Sequence, residues 1–400
     1  MIPPRQTDVL TMNRGSSTLK AALYDAGKSY ELLLSIAVDQ GTGSSGRLKI
    51  QDSKGSSLLE SSVAPGDSNS TLDTIFAWLG EHNYLSNLAA VGHRLVHGGA
   101  RYRDPHRVDS EFLAAMERLL PLDPDHMPAA IGGIQFVANK FPQLPQVACF
   151  DTAFHRSLPA VARMYALPRA FFDQDIFRYG FHGLSYEYIM GELAKLDGER
   201  ASGRVIIAHL GSGASMVAVK DGKSTDTSMG FTPLEGLVMS TRSGDIDPGV
   251  LLYLLEYKKM PAKEISTLVN KQSGLLGVST TSGDMKALLE SSHDNARAAE
   301  AVDLFCYRAK KYIGAYAAVL GGLDVLVFAG GIGEHAPEVR RRICSGLEFL
   351  GVSLDDRSNA ANAAVISRPE SRVKVRVIET DEDLMIVRHV CATLGWARIE

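Results

Sequence analysis

Short apolar runs alternate with glycine-rich and charged segments along this chain. Residues 9–12 are apolar except for Thr11 and predict a buried strand, and residues 19–24 predict a second strand after the polar segment 13–18. Further on, residues 323–329 form a run that is apolar except for Asp324, and residues 373–378 alternate, so each of these segments also predicts a strand. Helical patterns and one more short strand complete the prediction: helices at 71–81, 110–119, 248–258, 294–320 and 384–394, and a strand at 147–151 that ends on an acid.

The opening pattern returns in the second half of the chain. Residues 205–219 repeat the order of strand, polar turn and strand, with 209–215 as the turn. Gly15 falls on Gly211 and Asp25 on Asp221, an offset of 196 positions in both cases (211 − 15 and 221 − 25). A match of strand, turn, strand and closing aspartate in register indicates an ancient duplication. We therefore expect two related α/β domains that face a cleft.

Composition narrows the class of protein. The chain has 400 residues, more than one core usually holds, which predicts two domains. It is 45% hydrophobic and 22% charged with a formal net charge of −4, and it has no long basic run that would predict nucleic-acid binding. We expect no membrane span and no signal peptide, and hence a cytoplasmic protein. The four cysteines are widely spaced without a CxxC pair, which favours reduced buried thiols over disulfides or zinc.

The glycine-rich turns favour a phosphate ligand. A tight Gly/Ser/Thr turn between strands directs backbone N–H groups toward one point, which forms an anion nest. Lys20 lies just past the first turn, where its amine can reach the same anion. Either turn alone is more simply an ordinary hairpin. The duplicated pair, together with a third turn at 330–333, favours nucleotide phosphate.

Two other nucleotide motifs are weaker matches. The segments at 27–29 and 222–224 end like a P-loop, but Ala22 and Val217 stand where a P-loop needs glycine. Residues 331–336 fit the loose dinucleotide pattern GxGxxA, with Asp355 downstream, and so keep an NAD enzyme as a distant alternative. That alternative leaves the duplicated turns unexplained.

Two arginines, a histidine and an aspartate occur beside glycines or at strand ends. These are Arg94, Asp151, His182 and Arg242. Glycine lets ligand and backbone approach closely, and arginine offers a planar fork for carboxylate or phosphate. The group predicts a site for anionic ligands. A zinc site at His93 and His97 is disfavoured, because no HExxH glutamate accompanies them.

Several motifs together closely resemble the acetate kinase family, over about residues 8 to 390. The matching segments are 13–20 (NRGSSTLK), 93–99 (HRLVHGG), 150–155 (FDTAFH), 178–183 (RYGFHG), 209–213 (HLGSG), 229–236 (MGFTPLEG), 241–245 (TRSGD) and 331–335 (GIGEH). The resemblance implies the acetate and sugar kinase/Hsp70/actin superfamily. It therefore implies two ribonuclease-H-like (actin-like ATPase) α/β domains with an interdomain cleft, residues 1–152 plus 384–400 and residues 153–383.

The resemblance also implies a reaction and its residues. The reaction is reversible transfer of the ATP γ-phosphoryl group to acetate, with Mg²⁺ or Mn²⁺, in a homodimer. Asp151, His182 and Arg242 would act in catalysis, and Arg94 would bind the substrate carboxylate. Asn13 and Glu382 would belong to the metal site. The methyl pocket would contain Val96, Phe181 and Pro233. The nucleotide and its phosphates would contact Lys20, His209, Leu210, Gly211, Ser212, Gly213, Asp284, Met285, Lys286, Gly331, Ile332, Gly333, Glu334 and His335.

Some positions depart from the family pattern. Asp125 stands where a leucine usually lines the methyl pocket, with Met127 close by, so propionate or butyrate stays an alternative to acetate. Ser212 replaces asparagine and Lys286 replaces arginine, which leaves the nucleotide preference open, and Tyr186 replaces a histidine. An actin- or Hsp70-like ATPase is a further alternative, but it would have no use for the arginines and histidine of the anion site.

The proposed nucleophile shapes the expected mechanism. A carboxylate is already deprotonated near neutral pH, so the forward step needs no general base. We therefore expect Asp151 to orient an arginine or to help organise Mg²⁺, rather than to abstract a proton. The main obstacle is the approach of two anions, which Arg94, His182, Arg242 and Mg²⁺ would offset.

Overall fold

The computed structural model describes residues 7–14, 18–27, 29–39, 46–63, 68–120, 123 and 127–396. Within it the chain forms two compact units. Unit 1 comprises Met1–Ala153 with Asp381–Glu400, and unit 2 comprises Phe154–Thr380. Residues 15–17 of the first predicted phosphate turn (13–18) and the pocket-loop position Asp125 lie outside the described residues.

Both units contain strands and helices. The strands are β1 (Asp8–Arg14), β2 (Thr18–Asp25), β3 (Glu31–Asp39), β4 (Gly46–Asp52), β5 (Ser57–Val63), β6 (Leu88–Leu95), β7 (His106–Arg107), β8 (Gln146–Phe150), β9 (Arg204–Leu210), β10 (Ala214–Lys220), β11 (Lys223–Thr227), β12 (Val325–Ala329) and β13 (Lys374–Val377). The helices are α1 (Ser68–Glu81), α2 (Ser110–Arg118), α3 (Met127–Lys140), α4 (Ala160–Arg163), α5 (Arg169–Phe172), α6 (Gly183–Asp197), α7 (Pro248–Glu256), α8 (Ala262–Lys271), α9 (Gly274–Ser279), α10 (Met285–Ser291), α11 (Ala296–Leu320), α12 (Gly330–His335), α13 (Pro337–Cys344), α14 (Asp356–Ala360) and α15 (Glu382–Thr393).

Each unit is built on one mixed sheet, and the two sheets share a central order. In unit 1 the order is β5-β4-β3-β2-β1-β6-β8-β7, and in unit 2 it is β11-β10-β9-β12-β13. The run β3-β2-β1 is antiparallel and β1-β6-β8 is parallel, and β11-β10-β9 and β9-β12-β13 have the same directions. The predicted duplicated α/β fold is therefore confirmed at the level of sheet order.

Helices cover both faces of the unit 1 sheet. Apolar residues of α1, with Val137 of α3, pack on one face against β1 to β4. On the other face lies α15, at Gly92 of β6. A Cβ atom at Gly92 would collide with Ile386 and Val390 of α15, so glycine is what permits this close approach. The packing places the first turn of α15 beside the ends of the parallel strands.

The unit 2 sheet has the same layered build. The buried residues Ile189 and Leu193 of α6 pack with alternate valines and isoleucines of β9, β10 and β12. The long helix α11 begins at the N-cap Asn295, whose side chain accepts from two backbone N–H groups, and ends at Gly321 with φ +74°. These are ordinary start and stop signals for a helix.

Most predicted elements are present, with three corrections. The predicted turn 209–215 is shorter, because β9 runs to Leu210 and β10 begins at Ala214. The predicted turn 330–333 opens the short helix α12. The last helix begins at Glu382 instead of residue 384, since the Asp381 carboxylate accepts from the Leu384 N–H group at 2.8 Å and caps it.

None of the helices in the described ranges is both long and apolar enough to cross a membrane.

Candidate active site

The strand register brings several of the predicted residues to one face of the unit 1 sheet. Thr11 of β1 is level with Gly92 of β6, and Asn13 is level with Lys20 of β2. Because side chains alternate along a strand, Asn13 and Arg94 project from the same face as Thr11. Lys20 is exposed beside Asn13. This is the face that α15 covers.

The first turn of α15 brings three acids to that face. The Asp381 carboxylate caps the helix, and the Asp383 carboxylate accepts a hydrogen bond of 2.7 Å from the Thr11 hydroxyl. Burial raises the pKa of Asp383, although the bond from Thr11 acts in the opposite direction. The third acid, Glu382, pairs with Arg94 at 3.0 Å. Thr11 was not predicted from the sequence, because it lies inside an apolar strand run.

Arg94 is held in one orientation by Asp151. Its Nε and one terminal nitrogen donate to the two oxygens of Asp151, at 2.9 and 2.6 Å, while its other terminal nitrogen faces Glu382. The Asp151 side chain is only 2% exposed. Burial by itself lowers the pKa of Arg94, but the two carboxylates outweigh it and the net shift is upward. Such a two-bond pair fixes the plane of the guanidinium.

In unit 2, the turn between β9 and β10 spans Gly211 to Gly213. The Gly211 N–H group donates to the Gly213 carbonyl at 3.1 Å, and Ser212 is exposed. The predicted anion nest is therefore smaller than expected, because this N–H group is engaged within the turn. The Ser212 carbonyl accepts from Ser240, which ties the turn to the segment before Arg242.

Two side chains that were predicted for the site, His182 and Arg242, converge beside this turn. The position of a Cβ atom on Gly213 would lie 3.4 Å from His182 Nε2 and 3.6 Å from a terminal nitrogen of Arg242. The other terminal nitrogen of Arg242 donates to the Pro233 carbonyl at 2.7 Å. His182 has a left-handed backbone (φ +58°) immediately before α6, a conformation that few non-glycine residues adopt. The absent side chain of Gly213 leaves an open point between these two nitrogens.

His182 and His209 lie side by side, with ring centroids 4.4 Å apart. His182 Nδ1 is 2.8 Å from Ser215 Oγ, and His209 Nδ1 is 2.8 Å from Ser185 Oγ. The serines have a second hydroxyl neighbour each, Tyr186 for Ser215 and Thr380 for Ser185. None of these hydroxyls was predicted as part of the site, because no local motif links them.

The third predicted nucleotide segment is organised by Glu334. Its carboxylate accepts from the Gly330 N–H group at 2.7 Å and from the Thr380 N–H group at 3.3 Å. Burial raises the pKa of Glu334, and these two hydrogen bonds partly offset the shift. The buried Arg340 donates to the carbonyls of Gly333 and Glu334 and was not predicted. Gly331 and His335 are exposed, Ile332 is half-buried and Gly333 is buried.

The remaining predicted nucleotide residues are at the start of α10. The Asp284 carboxylate accepts from the Ala287 N–H group at 2.9 Å and so caps the helix. Lys286 is exposed and Met285 is buried. Leu210, at the end of β9, is also buried.

The residues predicted for the methyl pocket differ in exposure. Phe181 is 1% exposed, and its carbonyl accepts from His155 Nε2 at 3.0 Å. Pro233 is half-buried and contacts Arg242 through its carbonyl. Val96 lies just past β6 in unit 1 and is half-buried, and Met127 is buried in the same unit.

The weaker motifs have structural explanations. Asp355, the acid of the dinucleotide pattern, caps α14 by accepting from the Ser358 N–H group at 2.8 Å. His93 is buried against Gln146, and burial lowers its pKa to about 4. Among the described residues no group of three or more His, Cys, Asp or Glu side chains could hold a metal ion. All four cysteines are buried thiols that form no disulfide, as predicted.

Comparison with known proteins gives consistent matches along the whole chain. The model of the acetokinase family matches residues 8–388. An acetate kinase from Rhodopseudomonas palustris is 48% identical over 389 residues, covering 96% of this chain and 97% of the relative, and one from Methylocella silvestris is 45% identical, covering 96% and 98%. Among solved structures, a propionate kinase from Francisella tularensis matches with a TM-score of 0.90 at 36% identity, covering 96% and 98%. An acetate kinase from Porphyromonas gingivalis matches with a TM-score of 0.88 at 38% identity, covering 97% and 100%.

Proposed function

This chain belongs to the acetokinase family, and from that membership we propose that it transfers the γ-phosphoryl group of ATP reversibly to acetate, giving acetyl phosphate and ADP. The structural observation that carries the proposal is the convergence of His182 Nε2 and an Arg242 nitrogen beside Gly213. An open point between two donors suits an anion whose charge is spread over several oxygens, as in phosphoryl transfer.

Arg94 supplies the carboxylate site in this proposal. Asp151 holds one edge of its guanidinium through two hydrogen bonds. A carboxylate nucleophile needs no general base, so the proposed role of Asp151 is to orient Arg94. Val96, Phe181 and Pro233 would form the methyl pocket.

Unit 2 supplies the groups for the phosphoryl oxygens and the nucleotide. His182 and Arg242 donate to the equatorial oxygens of the group in transfer, where such donors act without reorganisation. The turns at Gly211 to Gly213 and Gly331 to Gly333 would hold the nucleotide. Residues 209–210, 284–286 and 334–335 flank these contacts, and Lys20 of unit 1 would contact the phosphates.

The family implies Mg²⁺, and the oxygen donors in unit 1 fit it. Asn13 lies on the sheet face where Thr11 bonds Asp383 of the first turn of α15, and Glu382 belongs to the same turn. Amide and carboxylate oxygens are the ligands that Mg²⁺ takes, and Mn²⁺ accepts the same set. Asn13 and Glu382 would hold the ion. When bound, it supplies charge neutralisation at the phosphate oxygens.

We also propose that the enzyme is a cytoplasmic homodimer. The four cysteines are thiols outside any disulfide, which suits a reducing compartment. Helix α7 has the apolar sequence PGVLLYLLE and no buried residue. Leu252 is 54% exposed and Tyr253 is 50% exposed. A contiguous apolar surface of this kind marks a protein interface, and a second copy of the chain is the proposed occupant.

One assay tests the proposed reaction and its acyl preference. The purified protein is incubated with ATP, Mg²⁺ and acetate, propionate or butyrate, and acyl phosphate is trapped with hydroxylamine. We expect acyl hydroxamate from acetate. A higher kcat/KM with propionate would favour the alternative that the structure of the Francisella tularensis relative and the residue Asp125 raise. No hydroxamate from any of the acids would refute the proposal.

A further inference from the structure

Two hydroxyl chains end on the two neighbouring histidines of unit 2. In the first, Tyr186 contacts Ser215 Oγ, which lies 2.8 Å from His182 Nδ1. In the second, the Thr380 hydroxyl donates to Ser185 Oγ at 2.8 Å, which lies 2.8 Å from His209 Nδ1. Tyr186, Ser185 and Ser215 are all 0% exposed, so water does not readily replace these contacts.

The number of protons and acceptors decides which group donates in each hydrogen bond of the first chain. Burial raises the pKa of Tyr186, so its phenol keeps its proton and can donate it. If Tyr186 donates to Ser215, then Ser215 donates to His182 Nδ1 and every proton has an acceptor. In the reverse direction, His182 Nδ1–H donates to Ser215, Ser215 donates to Tyr186, and the phenol proton has no acceptor in the chain. A buried donor without an acceptor is disfavoured.

The second chain has the same direction. The Thr380 hydroxyl donates to Ser185, so Ser185 uses its own proton for His209 Nδ1. Both neutral imidazoles therefore accept at Nδ1 and carry their proton on Nε2. On His182 that atom is the one beside Gly213 and Arg242.

We propose that Tyr186 and Ser215 are positioning residues that hold His182 as the Nε2–H tautomer, and that Thr380 and Ser185 do the same for His209. This inference rests on the proposed function for its catalytic consequence. The tautomer presents an N–H donor, and not a lone pair, to the phosphoryl oxygens. The two residues of each chain act through the histidine and touch no substrate.

Nitrogen NMR tests the tautomer without reference to activity. In protein with ¹⁵N-labelled histidine, the His182 signals are assigned by their loss in His182→Gln. We expect protonated Nε2 and unprotonated Nδ1 at pH 7.5. Tyr186→His supplies a lone pair that can accept the Ser215 proton, so the reverse direction opens and we expect Nδ1–H to become populated. Ser215→Ala removes the hydroxyl that contacts His182 Nδ1. We expect this variant also to lose the preference for the Nε2–H tautomer.

Kinetics then test the consequence for catalysis. We expect Ser215→Ala to lower kcat on the order of tenfold, less than the hundredfold cost of losing a transition-state donor, with KM for ATP and acetate little changed. Tyr316→Phe is the matched control, because Tyr316 is also a buried tyrosine of unit 2 whose hydroxyl has no hydrogen-bond partner among the described residues. It should leave both the spectrum and kcat unchanged.

The two proposals fail separately. If His182 carries its proton on Nδ1 in the wild-type protein, or if Ser215→Ala leaves the tautomer and kcat unchanged, the positioning role is wrong even in an active acetate kinase. If the wild-type protein forms no acyl phosphate but His182 is the Nε2–H tautomer, the hydroxyl chain stands and the proposed reaction fails.

Discussion

At the scale of single residues, the site depends on a side chain that is absent. Gly213 has an ordinary backbone conformation, so alanine is sterically allowed there, but its methyl group would occupy the point between His182 and Arg242. We expect Gly213→Ala to fold normally and to lose about 10²-fold in kcat, since small displacements of reacting groups have effects of this size. Steady-state kinetics and thermal unfolding measure the two effects separately.

Gly314→Ala is the control for that substitution. Gly314 lies within α11, and nothing lies within 4 Å of the Cβ position. Alanine there should raise the free energy of unfolding by up to about 1 kcal/mol, because alanine favours helix over glycine. Its kcat should be unchanged. A Gly213→Ala enzyme as active as the Gly314→Ala enzyme would mean that the point beside Gly213 is not used in catalysis.

The pair of Arg94 and Asp151 gives a second prediction at this scale. Asp151→Asn keeps the shape of the side chain but presents an amide N–H₂ group to the guanidinium donors. We expect KM for acetate to rise and kcat/KM to fall on the order of 10²-fold, because Arg94 loses its fixed orientation. Glu111→Gln, at the exposed pair with Arg101 in the same unit, is the control. An unchanged KM and kcat/KM for acetate in Asp151→Asn would rule out the orienting role.

At the scale of elements, a buried ion pair joins helix α6 to strand β13. Asp197 ends α6, its side chain is 1% exposed, and it accepts from Lys374 and Arg376 at 2.6 to 2.7 Å. These two cations hold the pKa of Asp197 down at about 2, with the hydrogen bond from Arg376 as the largest cause. The stability from this pair is thus fully present above about pH 4 and is lost as the pH falls through 2.

Breaking this pair should destabilise unit 2 at neutral pH. Asp197→Asn leaves Arg376, itself buried, without a carboxylate, and we expect a loss of about 3 kcal/mol in the free energy of unfolding. Asp173→Asn, at an exposed pair with Arg169, should change it by no more than about 0.5 kcal/mol. Denaturant unfolding compares the two variants. Equal small effects would show that the Asp197 pair does not hold β13 to α6.

The hairpin of β1 and β2 contains an aspartate whose pKa is raised, in contrast to that of Asp197. Asp8 is level with Asp25 across the two strands, and burial, with the charge of Asp25, raises the pKa of Asp8 to about 6. The folded state therefore binds this proton more tightly than the unfolded state. The protonated group stabilises the fold below about pH 4, and that contribution is lost as the pH rises through 6.

Replacing Asp8 by asparagine, its neutral isostere, tests whether the ionised carboxylate lowers the stability of the fold. We expect Asp8→Asn to raise Tm at pH 7.5 and to leave it unchanged at pH 4. Asp52→Asn should have the reverse sign at pH 7.5, because backbone hydrogen bonds, chiefly from Ser56, lower the pKa of Asp52. If the Tm of Asp8→Asn equals that of the wild type at pH 7.5, the ionised Asp8 carboxylate does not destabilise the fold.

At the scale of the whole molecule, α7 is the proposed interface of the homodimer. Leu252→Lys places a charge on the exposed apolar face without removing a buried contact. We expect light scattering after size exclusion to show a monomer for this variant and a dimer for the wild type. The control is Ser266→Lys on α8, which changes charge on an exposed polar position of the same unit. A wild-type monomer, or an unaltered dimer in Leu252→Lys, would exclude α7 as the interface.

Local pattern was enough to predict the duplication and, among the described residues, seven of the thirteen strands but only five of the fifteen helices. The apolar runs at residues 9–12 and 205–208 predicted β1 and β9, and the repeated turn predicted a duplication that the two sheet orders confirm. These features can be predicted from the sequence because each depends only on residues that are close together along the chain. Helix α3 was missed, since its buried glycine and alanine residues give no clear amphipathic pattern. Helix α6 was missed because Gly183 and Ser185 lie among its buried positions and interrupt the apolar pattern.

The sequence by itself determined which residue types are available for binding anions. Arg94, Asp151, His182 and Arg242 stood out as a group beside glycines or at strand ends, whereas any one arginine alone is more simply a surface or ion-pair residue. Only the tertiary structure decided how they are held. Asp151 follows β8 and Arg94 lies in β6, and their two-bond contact depends on strands that are more than fifty positions apart. In the sequence, Ser215 and Tyr186 look like ordinary core residues. They join the hydrogen bonds of His182 only because α6 packs on β10, since hydrogen bonding depends on proximity in space and not on spacing along the chain.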